Sequence, residues 1–225
     1  MCGRYFLHSN ADKLAKLFGE MTMPLLEPRY NIAPTQPVPI VRQDHNGRRE
    51  MVLVRWGLIP AWSKGPDSRF SMINARVETV AQKPAYRNAF RYRRCLLPAD
   101  GFYEWRSAGG KKQPFVLRPS DGRSLALAGL WEHWQDADGN ELASCTILVG
   151  EANAQVKAVH ERMPVVIDPT AFDLWLDIRS QKPQPLETLL AAQRAPDLTV
   201  YPVGRAVNNP RVDQPDLIVA LEGES

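Results

Sequence analysis

Cysteine stands at position 2 of this 225-residue sequence, directly behind the initiator methionine. A small second residue lets an aminopeptidase take Met1 away, which leaves Cys2 with a free α-amine and a thiol on adjacent carbons. Such a 1,2-aminothiol has a particular reactivity toward aldehydes. Its α-amine titrates near ~7.7–8.0 against ~10.4 for lysine, so at neutral pH it is roughly two orders of magnitude richer in the nucleophilic form. The amine forms an imine, and the tethered thiol closes a five-membered thiazolidine ring with the effective molarity of an intramolecular step. The aldehyde is then trapped. On position alone the more ordinary reading stands beside this one: Cys2 as a small buried hydrophobe near a chain end.

Few other signals compete. The sequence has no GxSxG elbow, Walker phosphate loop, HExxH or GxGxxG, which removes most weight from the common hydrolase, nucleotide and zinc-protease classes. Three cysteines, Cys2, Cys95 and Cys145, are odd in number and lack a CxxC pair, so neither a disulfide framework nor a structural zinc site is expected. Cys95 and Cys145 lie in strand-like apolar stretches and are expected in the core. His8, His45 and His133 have no partner spacing and receive no role. Glu104 is flanked by Phe102, Tyr103 and Trp105, where an apolar setting would lift a carboxyl pKa toward neutrality.

Bulk properties leave the partners open. Lys and Arg total 28 against 25 Asp and Glu, a net charge of +3, so any nucleic-acid surface must be local. Arg87, Arg91, Arg93 and Arg94 form a basic run that could extend such a surface, although a run of this kind is by default a solvated face. No export signal and no stretch of eighteen apolar residues is present, so a cytoplasmic protein that does not span a membrane is expected, with no metal, nucleotide or organic cofactor.

The elements that must position Cys2 are short. Nineteen scattered prolines argue against long helices. Ser9 is expected to cap a helix carrying Leu14, Leu17 and Phe18, with Asp12 completing a capping box. Val38–Arg42 and Met51–Trp56 read as strands around Asn46-Gly47, and Cys95–Leu97 as another. Phe102–Trp105 and Pro114–Leu117 flank Gly109-Gly110, and Leu125–Trp134 and Ser144–Val149 flank Asp138-Gly139. Helices are expected over Val80–Arg91, Ala152–Val159, Pro169–Leu176 and Pro185–Gln193, and a last strand over Leu198–Tyr201. The expected fold is therefore α+β: one β-rich domain over residues 1–225, with antiparallel strands in a barrel or two packed sheets and short peripheral helices.

Six segments, in order, resemble one known family. They are Met1-Cys2-Gly3-Arg4, Tyr30-Asn31-Ile32-Ala33-Pro34, Trp56-Gly57-Leu58-Ile59-Pro60 with Trp62, Ile73-Asn74-Ala75-Arg76-Val77-Glu78-Thr79, Arg94 through Trp105, and His160-Glu161-Arg162-Met163-Pro164. Together they are similar to the SRAP family, the SOS response-associated "peptidases" understood as abasic-site sensors, over roughly residues 1 to 210.

The resemblance implies that Cys2 forms a thiazolidine with the ring-opened sugar of an abasic site in single-stranded DNA. It further implies that Asn74 orients the sugar and the amine, that Glu104 exchanges protons during imine formation, and that His160 is the acid or base that opens the sugar and reverses the crosslink. Arg4, Arg76 and Arg162 would bind phosphates, while Trp62 and Pro34 would meet the flanking bases. Each of these residues also has an ordinary structural reading: a turn for Asn74 and Pro34, a strand edge for Glu104, a helix end for His160, core packing for Trp62. A monomer, association with a bacterial nucleoid, replication-fork proteins as further partners, and lyase or self-processing activity belong to the same expectation.

Two other classes remain open. Cys2 could be the nucleophile of an N-terminal cysteine peptidase with Asn74 at an oxyanion site. Alternatively, the chain could be a single-strand-binding module in which Cys2 is incidental.

Overall fold

A computed structural model describes residues 2–66, 72–179 and 181–221; Met1, whose removal the aminothiol chemistry requires, lies outside them. The strands are β1 (Tyr5–Leu7), β2 (Arg29–Ile32), β3 (Pro37–Gln43), β4 (Arg49–Trp56), β5 (Asn74–Arg76), β6 (Arg94–Ala99), β7 (Gly101–Ala108), β8 (Lys111–Pro119), β9 (Leu125–Gln135), β10 (Glu141–Glu151), β11 (Arg162–Pro164) and β12 (Leu198–Pro202). The helices are α1 (Ala11–Phe18), α2 (Arg87–Tyr92), α3 (Ala154–Lys157), α4 (Phe172–Leu176) and α5 (Pro183–Ala192).

Two sheets carry the fold. One has the order β12-β8-β7-β1-β2; the other runs β11-β10-β4-β3-β6-β9, with β5 beside β10. Because β9 also pairs with β10, the strands β10, β4, β3, β6 and β9 close into a barrel-like ring, joined by long ladders at β3–β4, β6–β9 and β9–β10 and by short ones at β4–β10 and β3–β6. Among the described strands pairing is antiparallel except where β10 runs parallel to β4 and to β5, and Thr22 adds an isolated parallel bridge to Glu50 of β4. The β-rich α+β architecture of mainly antiparallel strands with short helices expected from the sequence is the one observed.

Alternation builds the inner and outer faces of the five-stranded sheet. Tyr5 and Leu7 on β1, with Phe102 on β7 and Phe115 and Leu117 on β8, enter the main core, whereas Phe6, Tyr103 and Val116 turn to the other side and pack with Val203, Val207 and Leu217. Glu104 has the parity of Phe102 and so shares the inner side. Tyr5 meets Trp56 of the second sheet edge to face, with ring centroids 5.3 Å apart.

Several expected boundaries move for identifiable reasons. The cap of α1 is Asn10, whose Oδ1 accepts from Lys13 N at 3.0 Å; Ser9 is diverted to the buried Asp100, which accepts its backbone N–H at 2.7 Å. Asp100 also accepts His8 N–H and the Ser124 hydroxyl, so it pins the exit of β1. The helix expected over Val80–Arg91 forms only from Arg87. Pro84 lacks the N–H that would bond the Val80 carbonyl and its ring would clash there, so the preceding residues make separate turns.

The basic run from Arg87 to Arg94 is not one solvated face. Arg87 and Arg91 are exposed, but Arg93 pairs with Glu132 at 2.8 Å and Arg94 is buried, its guanidinium donating to the carbonyls of Phe90, Arg91, Trp175 and Asp177. It thereby caps the last turns of α2 and α4. Cys95 and Cys145 are core residues, as expected. Among the described residues no helix is long and apolar enough to cross a membrane, and no cluster of His, Cys, Asp or Glu has the makings of a metal site.

Candidate active site at the seam of the two sheets

Cys2 leads into β1 and carries no exposed surface. Its thiol points at the Arg4 carbonyl, 3.8 Å away. Burial pushes the thiol well above the ordinary range, and the charge of Glu104 pushes the same way, so the group is held as neutral S–H. Glu104 reaches this position because β1 and β7 pair through Tyr5 and Phe102, and Tyr103 N–H donates to Arg4 O at 3.0 Å.

The Glu104 side chain is buried, with 2% exposure. Desolvation pushes its carboxyl up to about 7, against the positive charge of the chain's amino end and the Trp105 N–H, which favour ionisation. A carboxyl held there exchanges protons readily near neutral pH. The raised carboxyl comes from burial on the inner side of the sheet; Tyr103 and Trp105, its sequence neighbours, pack on the other side.

The second sheet brings Asn74 to the same place. Asn74 opens β5, paired in parallel with Ile147 of β10, and its Nδ2 donates to the Cys2 carbonyl at 2.8 Å. Its Oδ1 is buried and has no hydrogen-bond partner among the described residues. The backbone beneath it is held by Trp56, whose indole N–H donates to Ile73 O at 3.0 Å, and by Ile147 N–H on the same oxygen.

His160 precedes β11, half-buried, with Nδ1 3.0 Å from the Arg162 N–H that donates to it. Burial lowers its pKa, and the amino-terminal charge that acts on Glu104 lowers it further. His160 is therefore mainly a neutral imidazole at pH 7. Arg162 forms a short ion pair with Glu78, and Arg76, at the end of β5, is exposed.

The remaining predicted residues are placed differently. Arg4 donates from Nη1 to Asn31 Oδ1 at 2.7 Å and to Val207 O at 2.8 Å, so this nitrogen ties the chain start to the C-terminal segment. Trp62 is 70% exposed, and among the described residues no hydrogen bond or ring contact joins it to Cys2, Asn74, Glu104 or His160. Its loop is anchored by Trp134, whose Nε1–H donates to Ser63 O at 2.9 Å. Pro34 precedes Thr35, a β-branched residue at φ 72°, and Thr35 N–H donates to Trp56 O at 2.8 Å.

The arrangement is thus a buried thiol, an amide on its own residue's carbonyl, a carboxyl poised near neutrality and a neutral imidazole, drawn from both sheets. The family model described as SOS response associated peptidase (SRAP) matches residues 1–210. This chain belongs to the SRAP family. Among its SRAP relatives is the "Abasic site processing protein YoqW" of Bacillus subtilis (strain 168), 37% identical over 222 residues that cover 97% of this chain and 99% of that protein. The "Abasic site processing protein HMCES" of Gallus gallus is 30% identical across 87% of this chain and 67% of its own length. The SRAP fold is shared with a solved structure from Bacteroides thetaiotaomicron at a TM-score of 0.84 and 22% identity, over 98% of this chain and 100% of that one.

Several residues that shape this SRAP site escaped the sequence reading. Trp56 and Asn31 lie inside the resembling segments, but nothing in the sequence marks Trp56 as the support of Ile73 or Asn31 as a hub. The Asn31 amide donates to the carbonyls of Val207, Asn209 and Val212 while its oxygen holds Arg4. Glu78, the partner of Arg162, also lay unremarked in its motif.

Proposed function

We propose that this chain processes abasic sites by covalent capture, with Cys2 as the nucleophile after Met1 is removed. The names of its relatives support the lesion class. What supports the chemistry is chiefly one contact, the Asn74 Nδ2 bond to the Cys2 carbonyl, because it joins the nucleophile's residue to the opposite sheet while the buried Asn74 Oδ1 keeps its accepting capacity for the nascent amine.

The steps follow from the groups present. Neutral His160, whose Nδ1 accepts the Arg162 N–H and whose proton therefore sits on Nε2, hands that proton to the departing ring oxygen as the sugar ring opens and is reprotonated there by the anomeric hydroxyl, which exposes the aldehyde. The Cys2 amine, its N–H received by Asn74 Oδ1, adds to the aldehyde carbon; the carbinolamine then loses water to give the imine. The thiol adds across the C=N bond, forming the C–S bond while its proton passes by way of Glu104 to the imine nitrogen. One water leaves overall. A neutral buried thiol suits this imine-first order, whereas a cysteine peptidase needs a thiol poised as thiolate, the opposite of what burial does here.

Single-stranded DNA is the proposed partner, with Arg76 and Arg162 as phosphate contacts and Trp62 and Pro34 on flanking bases. Arg4 contributes with whatever part of its fork is left by Asn31 and Val207. The test is a denaturing gel and an intact mass. Abasic single-stranded DNA is expected to yield a heat-stable species of mass protein minus Met1 plus DNA minus one water, absent for Cys2→Ala and for protein with Met1 retained. A stable product from either form would refute the mechanism, and equal affinity for intact and abasic strands with no adduct would leave a plain binding module.

A further inference from the structure

Glu78 lies in the turn that follows β5, and Arg162 opens β11; the two strands flank the same end of β10, paired at Arg76↔Val149 and Glu151↔Arg162. Their side chains meet over that end in a short ion pair between Glu78 Oε1 and Arg162 Nη1. Both cations near Glu78, Arg162 and Arg76, act to keep its carboxylate ionised; burial works against them, yet its pKa still falls below the ordinary value. The pair is open to solvent, with side-chain exposures of 47% for Glu78 and 27% for Arg162. A carboxylate so placed offers the guanidinium the two-oxygen face that a phosphodiester offers.

We propose that Glu78 is an internal phosphate surrogate: in the free protein it occupies the face of Arg162 that a backbone phosphate of single-stranded DNA must take, so that every strand has to displace it. This rests on the reading of Arg162 as a phosphate contact. The pair is exposed, and exchanging one anion for another there is a small free-energy change, so Glu78 acts as a discriminator rather than a block. It weakens the residence of intact strands, which are held by phosphate contacts alone, and leaves untouched the capture of a lesion, which is made permanent by a covalent bond. Arg162 also seats His160 through its backbone N–H, so the residue that exchanges counter-ions is the one that positions the imidazole.

The exchange has a signature in salt. When phosphate displaces Glu78, the counterion that leaves the DNA is matched by one gathered by the freed carboxylate; without Glu78, that release is uncompensated. Binding of a short oligothymidine, and of the same strand carrying an unreactive tetrahydrofuran abasic analogue, is to be measured across a salt series for wild type, Glu78→Gln, Arg162→Gln and the double variant. Glu78→Gln is expected to tighten both strands by about three- to tenfold at low salt, with the slope of log affinity against log salt steeper by about 0.7. The gain should vanish on the Arg162→Gln background.

Unchanged or weaker binding by Glu78→Gln at an unaltered slope, while Arg162→Gln still loses affinity, would overturn the surrogate and leave the interface intact. Arg162→Gln that changes neither affinity nor slope would overturn the interface and the surrogate with it.

Discussion

Asn74 Nδ2 donates a hydrogen bond of 2.8 Å to the carbonyl oxygen of Cys2, across 72 positions of sequence and between two sheets. No strand pairing requires this contact. It spends a side-chain amide on the second residue of the chain and leaves the other end of that amide, Oδ1, buried and without a partner among the described residues.

Asn74→Ala therefore removes the acceptor proposed for the amine. Crosslinking to abasic single-stranded DNA in single turnover is expected to slow by about 10²-fold, the range seen when one preorganised polar group is deleted from an active site. Loss of the bond itself costs only about 1 kcal/mol, so the fold should persist by circular dichroism. A variant that crosslinks at the wild-type rate would remove Asn74 from the mechanism.

Glu104 links stability to pH. Its folded pKa, about 7, lies above the ordinary 4.5, so folding favours the protonated carboxyl. The stability tied to this group is fully present below about 4.5 and is lost as pH rises through about 7, amounting to roughly 3 kcal/mol at alkaline pH. Glu104→Gln should accordingly raise the melting temperature more at pH 8 than at pH 5, while slowing thiazolidine formation at both. A thermal shift independent of pH would contradict the assignment.

Arg94→Met leaves the carbonyls of Phe90, Arg91, Trp175 and Asp177 without their shared donor. A loss of about 3 kcal/mol or more is expected, which for a domain of this length corresponds to a melting temperature lower by about 6–12 °C. Differential scanning calorimetry would register it. The chemistry of Cys2 should survive at temperatures where the variant is folded.

Thr35 holds φ at 72°, where a β-branched side chain is strained by about 1–2 kcal/mol. Thr35→Asn, which tolerates this region better, should raise stability in urea titration by about 1 kcal/mol. The Thr35 N–H bond to Trp56 O is a backbone contact and is kept. Destabilisation on this substitution would mean that the threonine side chain contributes more than its strain costs.

What could be read from the residues follows the length of the elements. The three long hairpins, β3–β4, β7–β8 and β9–β10, announce themselves around Asn46-Gly47, Gly109-Gly110 and Asp138-Gly139, because seven or more residues give a period time to appear. The strands β1, β2, β5 and β11 were not expected, and each has three or four residues, too few for any pattern. Yet β5 carries Asn74 and Arg76, β11 starts at Arg162 just past His160, and β1 is what seats Cys2. The aminothiol reading starts from position 2, but position alone favours an ordinary buried cysteine, and it is the resemblance of the surrounding motifs that favours the aminothiol. Asn74 and His160 were reachable only through resemblance, since a lone amide or imidazole has no local signature and their placement comes from pairing with β10, distant in sequence. Arg94 misled as a surface charge because counting arginines cannot show that two helix ends converge on one of them. Glu78 stayed silent for the reverse reason: its partner lies 84 positions away.

The closed ring of β10, β4, β3, β6 and β9 supports Asn74, Arg76 and Arg162, while Cys2 and Glu104 hang from the separate five-stranded sheet. On the proposed mechanism, competence is a property of how the two halves dock, and neither half holds the proposed set by itself. A nascent or partly denatured chain, with the halves apart, would have an aminothiol but none of the groups proposed to open a sugar, so lesion capture would report on completed assembly of the fold.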